Sequence, residues 1–251
     1  MIQIPHLETN ITTSCQNCCV GCNHFIPMQQ PSFLSPEVIA KDLNKLSKLA
    51  HAKRYALLGG EPLLHPNIVK ILNTAKKSGI ADQVEVITNG MKLKDMTEPF
   101  WKAVDYLTVT VYPGKLTQED MQLIYDKTAE NGITLELKPA EFTALMHRHP
   151  SDTDTAMRRY IHCWYKTYCF VVDNGYFYRC CTSPFIPELI LGMPKETDGI
   201  ALEELTEAQL DHFINQTESI PASCKVCASN TGREIGWKET TRGQWLDESK
   251  I

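Results

Sequence analysis

An α/β domain of parallel βαβ units, followed by a smaller β-hairpin module, is predicted by three features of the chain. Apolar, β-branched runs alternate with amphipathic stretches along the first 140 residues. The cysteines from Cys15 to Cys22, then Gly59-Gly60-Glu61-Pro62, then Thr88-Asn89-Gly90, each fall just after one of those β runs. Beyond residue 161 the alternation stops, and two short β runs meet at Asn174-Gly175, a strong hairpin signal. In barrels of parallel strands the C-terminal rim carries the chemistry, so three motifs on that rim mark a site.

The elements follow in order. Residues 8–13 read as a short strand that stops where the cysteines begin. Ser35-Pro36-Glu37 starts a helix, with serine as cap and proline in the first turn, and Ile39, Leu43, Leu46 and Ala50 form its apolar stripe. Residues 55–58 are an apolar strand running into Gly59-Gly60. His65-Pro66-Asn67 opens the next helix and Gly79 closes it. Residues 84–88 form a strand ending at Asn89-Gly90, and residues 106–111 an alternating, β-branched one. Thr117 caps a helix reaching Glu130, and residues 134–138 form a further strand. Residues 141–160 are polar and irregular, as in a linker or lid, and His147 and His149 read as exposed there. The hairpin opens the last module, residues 161–251, in which Thr206 and Gln209 make a capping box ahead of Cys224-x₂-Cys227.

Composition narrows the function. The 251 residues are 43% hydrophobic and 22% charged, enough for a sizeable core. A net charge of −5 without a basic run gives no reason to expect nucleic-acid or membrane binding. The N-terminal segment lacks the basic and apolar regions of a secretory signal, and no apolar stretch approaches a membrane span, so a cytoplasmic location is expected. Ten cysteines in that compartment point away from disulfides, and their grouping points to metal.

Cys15, Cys19 and Cys22 read C-x₃-C-x₂-C. Three thiolates on a short loop hold three irons of a cubane and leave the fourth open to a small molecule. Cys15 with Cys18, and Cys19 with Cys22, also form two C-x₂-C pairs, so a four-thiolate zinc site is an alternative on spacing alone.

The cysteine motif, G-G-E-P at 59–62 and I-T-N-G at 87–90 stand in an order and spacing that resembles the radical SAM enzymes. The resemblance implies a partial (β/α) TIM-like barrel. It also implies a 4Fe-4S cluster held by Cys15, Cys19 and Cys22, and S-adenosylmethionine cleaved to a 5′-deoxyadenosyl radical. Gly59, Gly60, Glu61 and Pro62 would then serve the amino-acid end of S-adenosylmethionine, with Glu61 accepting from its amine, and Thr88, Asn89 and Gly90 the ribose. One position departs from the family pattern: Gly21 stands where an aromatic residue usually precedes the third cysteine, and His24 or Phe25 are the nearby replacements. Cys18 is extra, and reads as an ordinary buried thiol.

The C-terminal module resembles the auxiliary-cluster extensions called twitch and SPASM domains, in the shorter twitch form. The resemblance implies a second 4Fe-4S cluster on Cys163, Cys180, Cys224 and Cys227, with Cys169 and Cys181 competing for two of those places and structural zinc as the alternative metal. A fully ligated cluster has no iron free for substrate and would move electrons. The layout is similar to aminocyclitol dehydrogenases of aminoglycoside biosynthesis, which implies oxidation of a sugar-like or cyclitol alcohol with the second cluster as electron acceptor. Reduced flavodoxin or ferredoxin is the donor the resemblance implies. The same machinery supports redox-neutral epimerisation with a thiol such as Cys181 returning hydrogen, Cys18 and Cys169 being the other spare thiols. Modification of a ribosomal peptide is a further alternative, lowered by the 14 residues ahead of Cys15. A structural iron–sulfur or zinc protein is the remote one. Thr110, Tyr112, Glu136 and Lys138 are candidate substrate contacts on the fourth and fifth strands, Lys138 as base or anion partner.

Overall fold

The computed structural model describes residues 1–251. Strand β1 (Ile2–Thr12) is longer than the sequence pattern predicts and leads into the cysteine loop. Helix α1 (Pro36–Leu46) starts at Ser35, whose hydroxyl accepts from the Val38 amide at 3.3 Å, and buries Ile39, Leu43 and Leu46. Each such side chain contributes about 1.5–3 kcal/mol on burial. Ala50 shares their helical spacing but belongs to β2 (Ala50–Gly59): the helix ends at Leu46, and Ala50 pairs with Ile2 of β1.

Helix α2 (Ile68–Ser78), β3 (Ala81–Thr88), the single turn α3 (Glu98–Trp101) and β4 (Tyr106–Val111) follow. Helix α4 (Gln118–Asn131) carries a complete capping box between Thr117 and Asp120, and precedes β5 (Thr134–Pro139). The C-terminal part contributes α5 (Thr153–Ile161), α6 (Tyr165–Tyr168), β6 (Phe170–Asp173), β7 (Tyr176–Tyr178), β8 (Gly199–Ala201), α7 (Glu207–Asn215) and α8 (Trp245–Glu248).

One eight-stranded sheet, ordered β5-β4-β3-β2-β1-β6-β7-β8, holds all of them. Strands β5 through β6 run parallel, β7 and β8 antiparallel, and β5 and β8 are free edges, so the barrel is open. The hairpin predicted at Asn174-Gly175 joins β6 to β7, with φ of 46° and 87° at the two turn residues as a type I′ turn requires. It extends the barrel sheet, because β6 pairs with β1 through Leu7–Phe170 and Glu8–Val171.

The main core lies between the helices and the convex face of the sheet, where β1 contributes Leu7 and Ile11. The alternate residues of β1, His6, Glu8 and Asn10, point to the concave face by the two-residue period of a strand, and the register with β2 shifts between Asn10 and Thr12. A second core of Phe25, Leu145, Met146, Phe185, Ile186, Val226 and Trp245 clamps the cysteine loop to the C-terminal part. Segment 141–160 is thus less of a linker than its polarity implies: Ala144, Leu145 and Met146 are buried, and Thr153–Ile161 is helical.

Candidate active site

The cysteine loop leaves β1 at the C-terminal rim. Cys15, Cys19 and Cys22 face one cavity of about 310 Å³, which Cys18 does not line. The sulfurs are ringed by donors: the Asn17 amide lies 3.4 Å from Cys15 Sγ, and the Trp237 indole donates to Cys19 Sγ at 3.3 Å. Burial pushes the Cys15 thiol up to about 12 and Cys19 to about 11, and raises Cys22. Three thiols so placed become thiolates only when a cation compensates them, and amides aimed at sulfur are what a thiolate-ligated cluster uses. The donor set therefore fits a 4Fe-4S cluster.

The C-terminal tail covers this loop, a feature that spacing in the sequence does not signal. The Val20 amide donates to the Lys238 carbonyl at 2.9 Å, the Thr240 amide to the Cys18 carbonyl at 2.8 Å, and the Trp245 indole to the Cys19 carbonyl at 2.8 Å. Gly21 departs from an aromatic residue for a steric reason: φ is 72°, and a Cβ there would lie 2.8 Å from Ile235 and 2.9 Å from the Thr143 carbonyl. Of the two neighbours that could replace the aromatic ring, His24 lines the cavity, while Phe25 is packed against Phe185 and Trp245.

The glycine motif sits against the start of the cysteine loop. The Gly60 amide donates to the Thr12 carbonyl at 2.7 Å and the Glu61 amide to the Ser14 carbonyl at 2.8 Å. A Cβ on Gly60 would lie 2.2 Å from the Ser14 carbonyl oxygen, and one on Gly59 2.4 Å from that of Thr12. These glycines are thus required by close backbone packing as well as by access to a ligand. Both line the cavity; Pro62 does not, and begins a short turn that closes beneath it.

Glu61 differs from its expected place. It is fully buried and absent from the cavity lining. Its Oε1 accepts from Thr88 Oγ1 at 2.6 Å and the Leu63 amide at 3.0 Å, and its Oε2 from the Asn89 amide at 2.8 Å. Burial pushes this carboxyl up to about 7, against the pull of those three donors. Glu61 is a bracket joining the two rim motifs. Thr88 and Asn89 line the cavity, Asn89 reaching Gln16 at 3.2 Å, whereas Gly90 turns away against Val109 and Leu116.

Strands and the loops that leave them supply more of the cavity lining, among it Glu8, Leu58, Ile87, Thr110, Tyr112 and Lys138. Lys138 is half exposed, with Glu136 at 3.5 Å. Below them the concave face is filled by a charged network. His6 lies 3.2 Å from Glu8 and 3.1 Å from Glu85, Thr108 donates to Glu85 at 2.6 Å, and Arg54 sits 3.6 Å from Glu85 and 3.8 Å from Glu136. Burial lowers the His6 pKa, but the two carboxylates outweigh it and bring it to about 9. The signal for this layer is the run of alternating polar residues His6, Glu8, Asn10 and Thr12 on a strand buried on both faces.

The remaining cysteines separate into two sets. Burial, with the neighbouring Cys180 charge, raises Cys163 to about 11 and also raises Cys224 and Cys227, whereas Cys180 is raised first by its hydrogen bond with Cys181 and then by burial. Thr182 stands 3.3 Å from Cys180 Sγ and Ser229 3.5 Å from Cys227 Sγ. Cys169 and Cys181 instead line the cavity, with Asn23 3.9 Å from Cys181 Sγ.

Residues 9–112 match the family model described as the Radical SAM superfamily. The probable GTP 3′,8-cyclase of Methanothermobacter marburgensis is 31% identical over 93 residues, 37% of this chain and 30% of that protein. The GTP 3′,8-cyclase of Tolumonas auensis is 27% identical over 138 residues (54% and 40%), and that of Clostridium botulinum 24% over 164 (61% and 50%). The chain spans half or less of the length of these curated relatives. The crystal structure of BtrN in complex with AdoMet and 2-DOIA is similar in fold, with a TM-score of 0.53 at 13% identity over 85% of this chain and 82% of that one. Native anSMEcpe with bound AdoMet gives 0.53 at 12% identity over 98% and 95%. The family match covers less than half of the chain, and the structural neighbours share its open α/β barrel.

Proposed function

We propose that this chain is a radical SAM oxidoreductase that oxidises an alcohol of a sugar-like or cyclitol small molecule. The observation that carries the reading is the convergence of Cys15, Cys19, Cys22, Gly59, Gly60, Thr88 and Asn89 on one cavity, with four more cysteines grouped away from it. A 4Fe-4S cluster on the first three thiolates, with S-adenosylmethionine, supplies one electron and a 5′-deoxyadenosyl radical that removes a hydrogen atom from substrate. Gly59 and Gly60 give the amino-acid end of S-adenosylmethionine close access to backbone, and Thr88 and Asn89 offer hydrogen bonds to its ribose.

A carbon radical bearing a hydroxyl becomes a ketone by losing one proton and one electron. The proton would pass to the Lys138–Glu136 pair at the cavity edge, and Cys163, Cys180, Cys224 and Cys227 would hold a second 4Fe-4S cluster able to take the electron. A reduced flavodoxin or ferredoxin fits as donor. Redox-neutral epimerisation is the second reading, favoured by the two thiols Cys169 and Cys181 that line the cavity; Cys181 would then return hydrogen to the substrate. No helix is long and apolar enough to cross a membrane.

The test is anaerobic reconstitution of wild type and of the Cys15→Ala/Cys19→Ala/Cys22→Ala protein. About eight irons per chain are expected in the first and about four in the second, with 5′-deoxyadenosine formed only by wild type. Near-zero iron in the variant refutes the second cluster and removes the electron acceptor. No 5′-deoxyadenosine from reduced wild type refutes the radical SAM reading, and a solvent deuteron in an otherwise unoxidised product moves the assignment to epimerisation.

A further inference from the structure

Two arginines beside the four grouped cysteines are hydrogen-bonded only to uncharged groups. Arg179, which precedes Cys180 in the chain, is 3% exposed and sits between the Tyr160 and Phe213 rings, 5.2 and 4.9 Å from their centroids. Its Nη1 donates to the Tyr160 hydroxyl and, at 3.0 Å, to the Gln216 carbonyl. Arg159, on α5, donates to Ser151 at 2.8 Å and to the Cys224 carbonyl at 3.3 Å, and lies 2.7 Å from His147 Nε2. Burial and the Arg159 charge both lower the His147 pKa, so that ring is neutral too. The Nε atoms of both guanidinium groups are buried and have no partner. A cation so placed is costly unless a negative charge lies close by.

Tyr160 shows what lies close by. It is 4% exposed; burial raises its hydroxyl, the Arg179 charge pulls it down, and the charges of Cys224, Cys163 and Cys180 push it up again. Lys166 adds another cation, its Nζ 4.4 Å from the centre of the same ring. Of the acidic residues that line the same cleft as Arg179, Glu218 is exposed. The other, Asp198, is buried, and its oxygens are taken by the Ala222 amide at 2.6 Å and by the amide and hydroxyl of Ser223. Those bonds shape the short turn Ala222–Lys225 that carries Cys224, and they leave Asp198 little to offer an arginine.

We propose that Arg179 and Arg159 are the counter-ions of a 4Fe-4S cluster on Cys163, Cys180, Cys224 and Cys227, and that they raise its potential so that it accepts the electron leaving the substrate. A cluster on four thiolates is an anion, and taking up one electron adds a further negative charge. A fixed buried cation favours that more negative state, because net charge around a cluster sets its potential. The carbon radical loses one electron, the cluster gains it, and the hydroxyl proton leaves separately, so atoms and charge balance. The inference rests on the reading of those cysteines as a second cluster.

The test is a redox titration of the Cys15→Ala/Cys19→Ala/Cys22→Ala protein, in which iron is held at the second site alone, with and without Arg179→Met or Arg179→Lys. Arg179→Met is expected to lower the ratio of reduced to oxidised cluster at a fixed potential at least tenfold, a fall of about 59 mV, at unchanged iron content. Arg179→Lys keeps the charge and is expected to recover most of that shift. A packing role between Tyr160 and Phe213 gives no such split, because methionine and lysine fill the space alike. Should Arg179→Met hold no iron, Arg159→Met in the same background carries the same expectation. A potential that the methionine variant leaves in place, or that falls equally in the lysine variant, overturns the proposal. Near-zero iron in the parent protein overturns the second-cluster reading, and the proposal with it.

Discussion

Replacing Glu61 separates a bracket from a ligand contact. Its two oxygens accept three hydrogen bonds, from Thr88, Leu63 and Asn89, at a fully buried position. Glu61→Gln keeps one acceptor. Whichever way the amide turns, its NH₂ faces a backbone N–H, that of Leu63 or of Asn89, and that donor is orphaned. An orphaned buried donor costs about 1–3 kcal/mol, and the neutral amide escapes the burial penalty that pushes the Glu61 carboxyl up to about 7, so the low end applies. Glu61→Ala orphans both amides and leaves a void, for about 3–5 kcal/mol. For a chain of this size those losses lower the unfolding midpoint by roughly 4 °C and 10 °C. Thermal unfolding of the cluster-loaded protein without S-adenosylmethionine reads this directly. Both variants should also bind S-adenosylmethionine more weakly, because the two rim motifs lose their common brace. If Glu61→Ala unfolds at the wild-type midpoint and loses only S-adenosylmethionine affinity, the bracket argument is wrong and Glu61 is a ligand contact.

Other outcomes follow from the same geometry. Gly60→Ala sets a Cβ 2.2 Å from the Ser14 carbonyl, which must move and take Cys15 with it; iron bound at the first site should fall by at least half, while Gly243→Ala, with no atom within 4 Å, should retain all of it. His6 has its pKa raised from 6.5 to about 9, so the stability it gives is fully present below about 6.5 and is lost as pH rises through about 9. The difference in unfolding free energy between wild type and His6→Gln should therefore shrink by on the order of 3 kcal/mol from pH 6 to pH 10; a constant difference counts against the His6–Glu8–Glu85 arrangement. Trp237→Phe removes the N–H donor 3.3 Å from Cys19 Sγ; the first cluster's potential should drop by roughly 20–60 mV, read by redox titration, and no change would mean the indole does not tune it.

The local grammar of the barrel was readable because strand and helix periods, caps and turn residues act over a few positions. Ser35 caps α1, Thr117 caps α4, and Asn174-Gly175 turns between β6 and β7, as their residue types require. Ala50 was misplaced because helical spacing extends past a helix end when the next strand is also apolar. Glu61 was assigned from the chemistry a carboxylate offers, whereas its partners, Thr88 and Asn89, arrive from another strand. Gly21 departs from the pattern because Ile235 and Thr143, distant in sequence, fill the space beside it.

The sequence by itself determined the α/β class, the three rim motifs and the grouping of the cysteines, since each depends on residue type and short spacing. Which cysteine faces what was decided by the tertiary structure. Cys180 and Cys181 are neighbours in the chain, yet Cys181 lines the cavity with Cys169 while Cys180 joins Cys163, Cys224 and Cys227. The acidic floor was decided there too: Glu8, Glu85 and Glu136 lie on three different strands, and only sheet register and curvature bring them with His6, Arg54 and Lys138 onto one concave face. Charge at a site is a sum over residues distant in sequence, and short spacing carries no information about that sum.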